Sequence, residues 1–339
     1  MATAPSPAPP RPAQAAPASL PGYYPAPLPP NSAAAEFYRA NGFLVVEDVF
    51  SPAEVAALNA DAAAICRGEH GPVGGVDPAA SVGTDEEVLA RFLCIHFPHK
   101  ISPVMRAAMT HPLLVDVLTR LIAPDVKCMQ SMLFIKSAGK PGQAWHQDED
   151  FIPTRDNSLC GAWIALDDAT VENGCLWVLP GSHQPPVLWP QHQHDDRRFD
   201  CAKESRFPWT DDQAVKVEVR AGSVVFFNGY LLHRSLPNLK KAGYRRSLVN
   251  HYMSAYSLLP WTDNLRNQSV ALADKRDIVL VAGKDPYAYK GTEDYNVAWV
   301  RPTGEGGCLP SVDKANPGKG AGSAEGGGGG MMGGPRMGT

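Results

Sequence analysis

Trp145-His146-Gln147-Asp148 decides how this chain reads, together with His233 and Arg245 far downstream. On a β-strand, side chains at i and i+2 point to the same face. His146 and Asp148 can therefore both aim into a barrel while Gln147 points elsewhere. A histidine and an aspartate at this spacing, joined by a distant second histidine, make a facial triad of two histidines and one carboxylate. Such a triad holds non-haem Fe(II) by one face and leaves the other open for substrate and O₂. An H-x-D pair alone is a weak signal, because such pairs arise on loops by chance. Its weight comes from the surrounding chain.

That surrounding chain has the texture of strands. Residues 126–136 are apolar and strand-like, and Gly139 to Gly142 supply a turn before the His146 segment. Short strands are predicted over 161–166, 175–179, 215–219, 223–227 and 231–235, with a last one over 245–253. Asn228-Gly229 predicts a hairpin, since type I′ turns need positive φ at both central positions. Upstream the reading is helical. Residues 33–40 end at Asn41-Gly42, a C-cap. Ser51-Pro52-Ala53-Glu54 is a capping box with proline at the first helical position, opening a helix to about Cys66. Ser102-Pro103 and His111-Pro112 open two more. The expectation is a mainly β fold with helical support, a sandwich or barrel.

Five downstream histidines compete to complete the triad. His192 and His194 sit among Gln191, Asp195, Asp196, Arg197 and Arg198 and read as a solvated loop. His183 follows the turn Pro180-Gly181-Ser182 and reads as locally bonded. His251, inside the last strand, reads as a packed barrel residue. His233 follows an apolar strand and a tight turn, which would fix it facing inward. Fe(II) oxygenases with this triad commonly use 2-oxoglutarate, whose far carboxylate is best met by a planar, permanently charged fork. Tyr244-Arg245-Arg246-Ser247 offers two arginines on opposite strand faces. Alternation does not choose between them, because Val249 lies on one face and Leu248 and Tyr252 on the other.

Composition bounds the rest. Residues 1–32 are rich in proline and alanine and nearly uncharged, and 313–339 run into the glycine tract Gly326 to Gly330. Both are predicted to be extended, solvated chain, leaving 33–312 as a single domain. A net charge of -4 gives no electrostatic footprint for nucleic acid. No apolar run approaches a membrane span, and the N-terminus lacks the apolar segment of a secretory signal. The seven cysteines are odd in number and scattered, with no C-x-x-C. That pattern fits free thiols in a reducing compartment, predicted to be the cytoplasm.

Four stretches taken in order resemble the phytanoyl-CoA dioxygenase family over roughly residues 35 to 255. They are Gln143-Ala144-Trp145-His146-Gln147-Asp148, Gly161-Ala162-Trp163-Ile164-Ala165-Leu166, the run from Asn173 to His183, and the stretch from His233 to Arg245. The resemblance implies a double-stranded β-helix (a jelly-roll or cupin-like barrel), with Fe(II), 2-oxoglutarate and O₂ as cofactor and cosubstrates. It implies His146, Asp148 and His233 as iron ligands and Arg245 as the 2-oxoglutarate arginine. Met132, Gln147, Trp163 and Ser235 match cosubstrate-pocket positions, and Cys94 stands where the family can carry a lysine. The implied chemistry is oxidative decarboxylation of 2-oxoglutarate to succinate and CO₂, coupled to hydroxylation of a small or lipid-like substrate. Asp148 speaks against a halogenase, where a small residue would open a halide site. A cupin-like metalloenzyme without 2-oxoglutarate and a metal-free binding module are the competing readings. Residues 71–84 and 184–212, which would shape the entrance, carry no acyl or CoA signature.

Overall fold

The computed structural model describes residues 21–30, 32–79, 81–200, 203–258, 278–292 and 296–303. Its strands in chain order are β1 (Tyr23–Pro25), β2 (Phe43–Glu47), β3 (Phe92–His96), β4 (Val126–Ser137), β5 (Gln143–His146), β6 (Cys160–Ala165), β7 (Leu176–Val178) and β8 (Gln191–Gln193). They continue as β9 (Lys203–Ser205), β10 (Val215–Val217), β11 (Val224–Asn228), β12 (His233–Ser235), β13 (Tyr244–Ser254), β14 (Val279–Ala282) and β15 (Trp299–Pro302). The helices are α1 (Ala34–Asn41), α2 (Pro52–Arg67), α3 (Asp85–Leu89), α4 (Pro103–Met109) and α5 (Pro112–Leu121).

Helix starts and stops follow local chemistry. The Ser51 hydroxyl accepts from the Glu54 amide at 3.3 Å, and the Glu54 carboxylate accepts from the Ser51 amide at 2.8 Å, closing the predicted box. Gly42 ends α1 at φ 80°, a left-handed position that glycine takes without strain.

Two sheets make the β layers. The larger has nine strands in the order β1-β2-β11-β6-β13-β4-β3-β15, with β14 also on β4; the smaller runs β10-β7-β12-β5. Except for the parallel β1–β2 pair, the partners within both sheets are antiparallel. One face of the large sheet, with Leu44, Phe226, Ile164, Leu248, Leu133 and Ile95, packs on Leu58, Ile65, Met105, Met109, Leu114 and Leu118 of the helices. The opposite face, with Val45, Val225, Trp163 and Val249, meets Leu176, Val178 and Val217 of the small sheet. This second layer boundary is where the site lies. Along β4 its residues Gln130, Met132 and Phe134 are only half-buried while Ser131, Leu133 and Ile135 between them are fully buried. The helix-covered side is thus close-packed, and the inward side lines an opening.

The mainly β fold with helical support is observed, and four expectations change. The N-terminal segment is not solvated up to residue 32: Tyr23–Pro25 pairs with Val45–Glu47, and Leu28 is only 4% exposed. The helical reading of the first half passed over β2 and β3. Asn228-Gly229 is not a hairpin, because β11 belongs to the large sheet and β12 to the small one. The chain crosses between layers there, and Gly229 is needed for closeness: a Cβ would lie 2.7 Å from Leu159 and from the Glu149 carboxylate. Residues 191–193 are not loop but pair with 203–205 in a two-stranded ribbon, placing His192 Nε2 3.9 Å from Glu204. Residues 1–20 and 313–339 lie outside the described residues, as do Cys201 and Cys308. The five described cysteines are free and buried.

Candidate metal centre

β5 and β12 are antiparallel neighbours, and their register sets His233 directly opposite His146. The two rings lie 4.2 Å apart between centroids. β5 stops at His146, so Asp148 is not on the strand as expected but opens a short 3₁₀ turn. Gln147 keeps extended angles (φ -126°, ψ 128°), which preserves the i, i+2 relation and sends Asp148 to the same side as His146. Asp148 Oδ1 lies 3.5 Å from His146 Nε2 and 3.6 Å from His233 Nε2. One ligand atom from each residue falls within 4.8 Å of the others, a group able to hold one metal ion.

The hydrogen bonds around the two histidines prepare them for a metal. His146 Nδ1 lies 2.8 Å from the Ala144 carbonyl and His233 Nδ1 2.9 Å from the Leu231 carbonyl. A carbonyl only accepts, so both Nδ1 atoms carry the proton and both Nε2 lone pairs face the centre. The electrostatics separate the members. Burial works against a charge on Asp148, yet His233, His251 and His146 outweigh it and hold the carboxyl well below its ordinary range. Burial, reinforced by His146, pushes His233 down to about 4. Burial opposes a charge on His146 too, but Asp148 beside it raises that imidazole.

His251 is more than the packed barrel residue expected. Its Nε2 lies 2.8 Å from Asp148 Oδ2. An ionised carboxylate only accepts, so His251 donates and leaves Oδ1 turned toward the two ligand histidines. His183 bonds across the fold, 3.1 Å from the Arg39 carbonyl, rather than locally. Gln147 spends its amide on the main chain: Nε2 donates to Val187 and Tyr230 carbonyls at 2.9 and 2.7 Å, and Oε1 accepts from the Trp189 amide at 2.8 Å. It pins the 187–189 segment beside the metal ligands. Phe151 sets its ring 6.1 Å from His146, and Val187 and Leu188 of that segment are exposed.

The other end of the interior is cationic. The inward row of β13 is Arg245, Ser247, Val249 and His251, so the arginine in line with His251 is Arg245. It is buried, lies 5.4 Å over the Trp163 ring, and donates from Nη1 to Ser247 at 2.8 Å while its Nε has no partner. Burial pushes its guanidinium down to about 10. Arg246 turns the other way and makes a two-pronged pair with Asp167, at 2.9 and 2.7 Å. Met132 lies opposite Val249 on the inward row of β4, and Ser235 accepts from Lys136 Nζ at 2.9 Å. A cavity at this end is lined in part by Lys136, Lys140, Gln143, Asp200, Arg245 and Arg301 and includes no triad residue. Cys94 stands buried in β3, its sulfur 3.1 Å from His96 Nε2. Sequence reasoning passed over Lys136, although a lysine inside an apolar strand was the available signal.

Comparison with known proteins follows the same lines. The profile of the Phytanoyl-CoA dioxygenase (PhyH) family matches residues 38–247, more than half of the chain. A phytanoyl-CoA dioxygenase of Arabidopsis thaliana is 39% identical over 113 residues, a match spanning 33% of this chain and 39% of that protein. The peroxisomal phytanoyl-CoA dioxygenase of Rattus norvegicus is 26% identical over 297 residues, covering 78% of this chain and 79% of its own. Among solved structures, the apo form of the non-haem monooxygenase ThoJ shares the fold with a TM-score of 0.57 at 22% identity, covering 74% of this chain and 84% of that one. No helix among the described residues is long and apolar enough to cross a membrane.

Proposed function

The chain belongs to the phytanoyl-CoA dioxygenase family and is an iron- and 2-oxoglutarate-dependent oxygenase; from that premise we propose that it hydroxylates an unactivated C–H bond of a small or lipid-like molecule, releasing succinate and CO₂. His146, Asp148 and His233 are the iron ligands in this reading. The donor set fits: two Nε2 lone pairs and one carboxylate oxygen converge from one side, each steered by a bond on its far atom. Bound iron supplies the redox chemistry that couples 2-oxoglutarate decarboxylation to substrate oxidation.

The chain's residues set the stage for that chemistry. His251 holds the Asp148 carboxylate in one orientation. Arg245 receives the distal carboxylate of 2-oxoglutarate, with Trp163 under its guanidinium plane and Met132 and Ser235 lining the path. Gln147 acts by tying the 187–189 segment to the stretch between the two ligand positions. The Phe151 ring beside His146 supports a substrate with hydrocarbon character. Residues 33–312 form the catalytic domain in this reading, with Tyr23–Pro25 added to its sheet. The buried thiols support a reducing compartment.

The observation that carries the proposal over a cupin-like enzyme without 2-oxoglutarate is Arg245. A buried guanidinium with no carboxylate in ion-pair reach among the described residues is costly unless an anion completes it. The test is uncoupled turnover: iron-loaded protein with 2-oxoglutarate and O₂ should release succinate. A metabolite screen for products carrying one added oxygen atom should then name the substrate. Iron-loaded protein that consumes no 2-oxoglutarate would move the chain to the cupin-like reading.

A further inference from the structure

Trp145 and Arg234 each stand one residue from a ligand histidine, on the outer face of the small sheet. There the register sets Arg234 opposite Trp177, with Lys216 beyond it on β10. The Arg234 guanidinium lies 4.7 Å from the Trp145 ring on one side and 4.7 Å from the Trp177 ring on the other. One carboxylate ties the pair together. Asp211 Oδ2 accepts from Arg234 Nη2 at 2.6 Å, and its Oδ1 accepts from Trp145 Nε1 at 3.1 Å. Trp145 and Arg234 are both buried, and Phe207 packs edge-on against Trp145 at 5.6 Å.

This clamp sits where the backbone ladder is interrupted. β5 is a four-residue strand at the end of the small sheet, paired there with β12. The register shifts between His233 and Ser235, so that Ala144 and Trp145 together stand opposite Arg234. Such a bulge takes a residue out of the ladder and lets the strand bend. A planar cation between two indoles, by contrast, fixes β5, β12 and β7 side by side. Asp211 is largely exposed, so its ion pair contributes orientation more than energy. Resting on the reading of His146, Asp148 and His233 as metal ligands, we propose that Arg234 is a positioning residue for the metal centre. Through Trp145 it holds β5 on β12 and sets how His146 and His233 stand to each other.

The test titrates Co(II) anaerobically into the full-length protein, because its visible absorption reports affinity and ligand geometry in one measurement. Arg234→Met, which removes the charge and the planar fork, should bind Co(II) about tenfold more weakly and with shifted absorption bands. Arg234→Lys, which keeps the charge but not the fork, should behave alike. Lys216→Met is the control. Lys216 lies 4.9 Å over the same Trp177 on a strand that carries no ligand, and its loss should leave Co(II) binding as in wild type. Melting is followed in parallel. A merely structural Arg234 would lower the melting temperature and leave Co(II) affinity and spectrum, measured well below it, unchanged. That result would overturn the proposal, as would an equal loss of affinity in Lys216→Met. Wild-type Co(II) binding that survives His233→Ala unaltered would instead overturn the assignment of the metal ligands on which the proposal rests.

Discussion

Replacing His251 by Phe tests the metal centre without touching a ligand. His251 Nε2 sits 2.8 Å from Asp148 Oδ2, while Oδ1 faces His146 and His233 at 3.5 and 3.6 Å. Phenylalanine keeps the ring's bulk, and the His251 Nδ1 it also removes has no hydrogen-bond partner to lose. The perturbation is therefore close to the deletion of one bond. That bond is charge-assisted, of a kind worth about 1.5–3 kcal/mol. An independent route gives the same scale, since groups that orient a metal ligand are typically worth about 10–100-fold in metal affinity, or about 1.4–2.8 kcal/mol. The expected outcome is a Fe(II) or Mn(II) affinity lower by that factor. Anaerobic competition against a chromophoric chelator measures it, with melting followed separately. His251→Gln, whose amide can donate, should recover part of the loss. A His251→Phe protein that melts and binds metal as wild type does would refute the idea that Asp148 needs this restraint.

His233→Ala should abolish metal binding and turnover together; retained iron and activity would put the distal ligand elsewhere. Arg245→Ala should weaken 2-oxoglutarate binding by about ten- to a hundredfold. Arg246→Ala should cost about 1 kcal/mol of stability or less through Asp167 and leave that binding unchanged, so a reversed order in a calorimetric titration would mean the strand face is wrong. Gly161→Ala would set a Cβ 2.4 Å from the Phe227 ring, which packs 4.7 Å from His233. Overpacking of about 1–3 kcal/mol should appear as a lower melting temperature, with weakened metal binding; unchanged metal affinity would break the proposed link from Phe227 to His233. Deleting residues 1–30 should lower the melting temperature, since Leu28 burial alone contributes about 2 kcal/mol; an unchanged melt would mean β1 adds nothing.

What the sequence shows and hides has one physical cause. His146 and Asp148 were legible because the rule that places them is local, and it survives the end of β5 while Gln147 stays extended. Alternation could not choose between Arg245 and Arg246, because β13 lies inside the large sheet with helices on one face and the small sheet on the other. Periodicity needs one face in water, and this strand has none. β2, with Phe43, Leu44, Val45 and Val46 all buried, is a continuous apolar run that periodicity alone does not distinguish from a buried helix. Asn228-Gly229 misleads because the local turn preference does not reveal that its flanking strands belong to different layers.

His251 and Lys136 are hidden for the complementary reason. Each is a polar residue in an apolar strand, and its meaning rests on a partner about a hundred positions away, Asp148 for one and Ser235 for the other. Only the register of β13 on β4, with β12 on β5, brings these groups together. The two ends of the interior are then one device on one strand: the inward row of β13 that steers Asp148 through His251 also carries Arg245. A shift of β13 by one residue would turn both away at once and put Arg246 and Tyr252 in their place. Metal affinity and 2-oxoglutarate affinity should therefore fall together in any variant that disturbs this register, and separately in variants that truncate His251 or Arg245 alone.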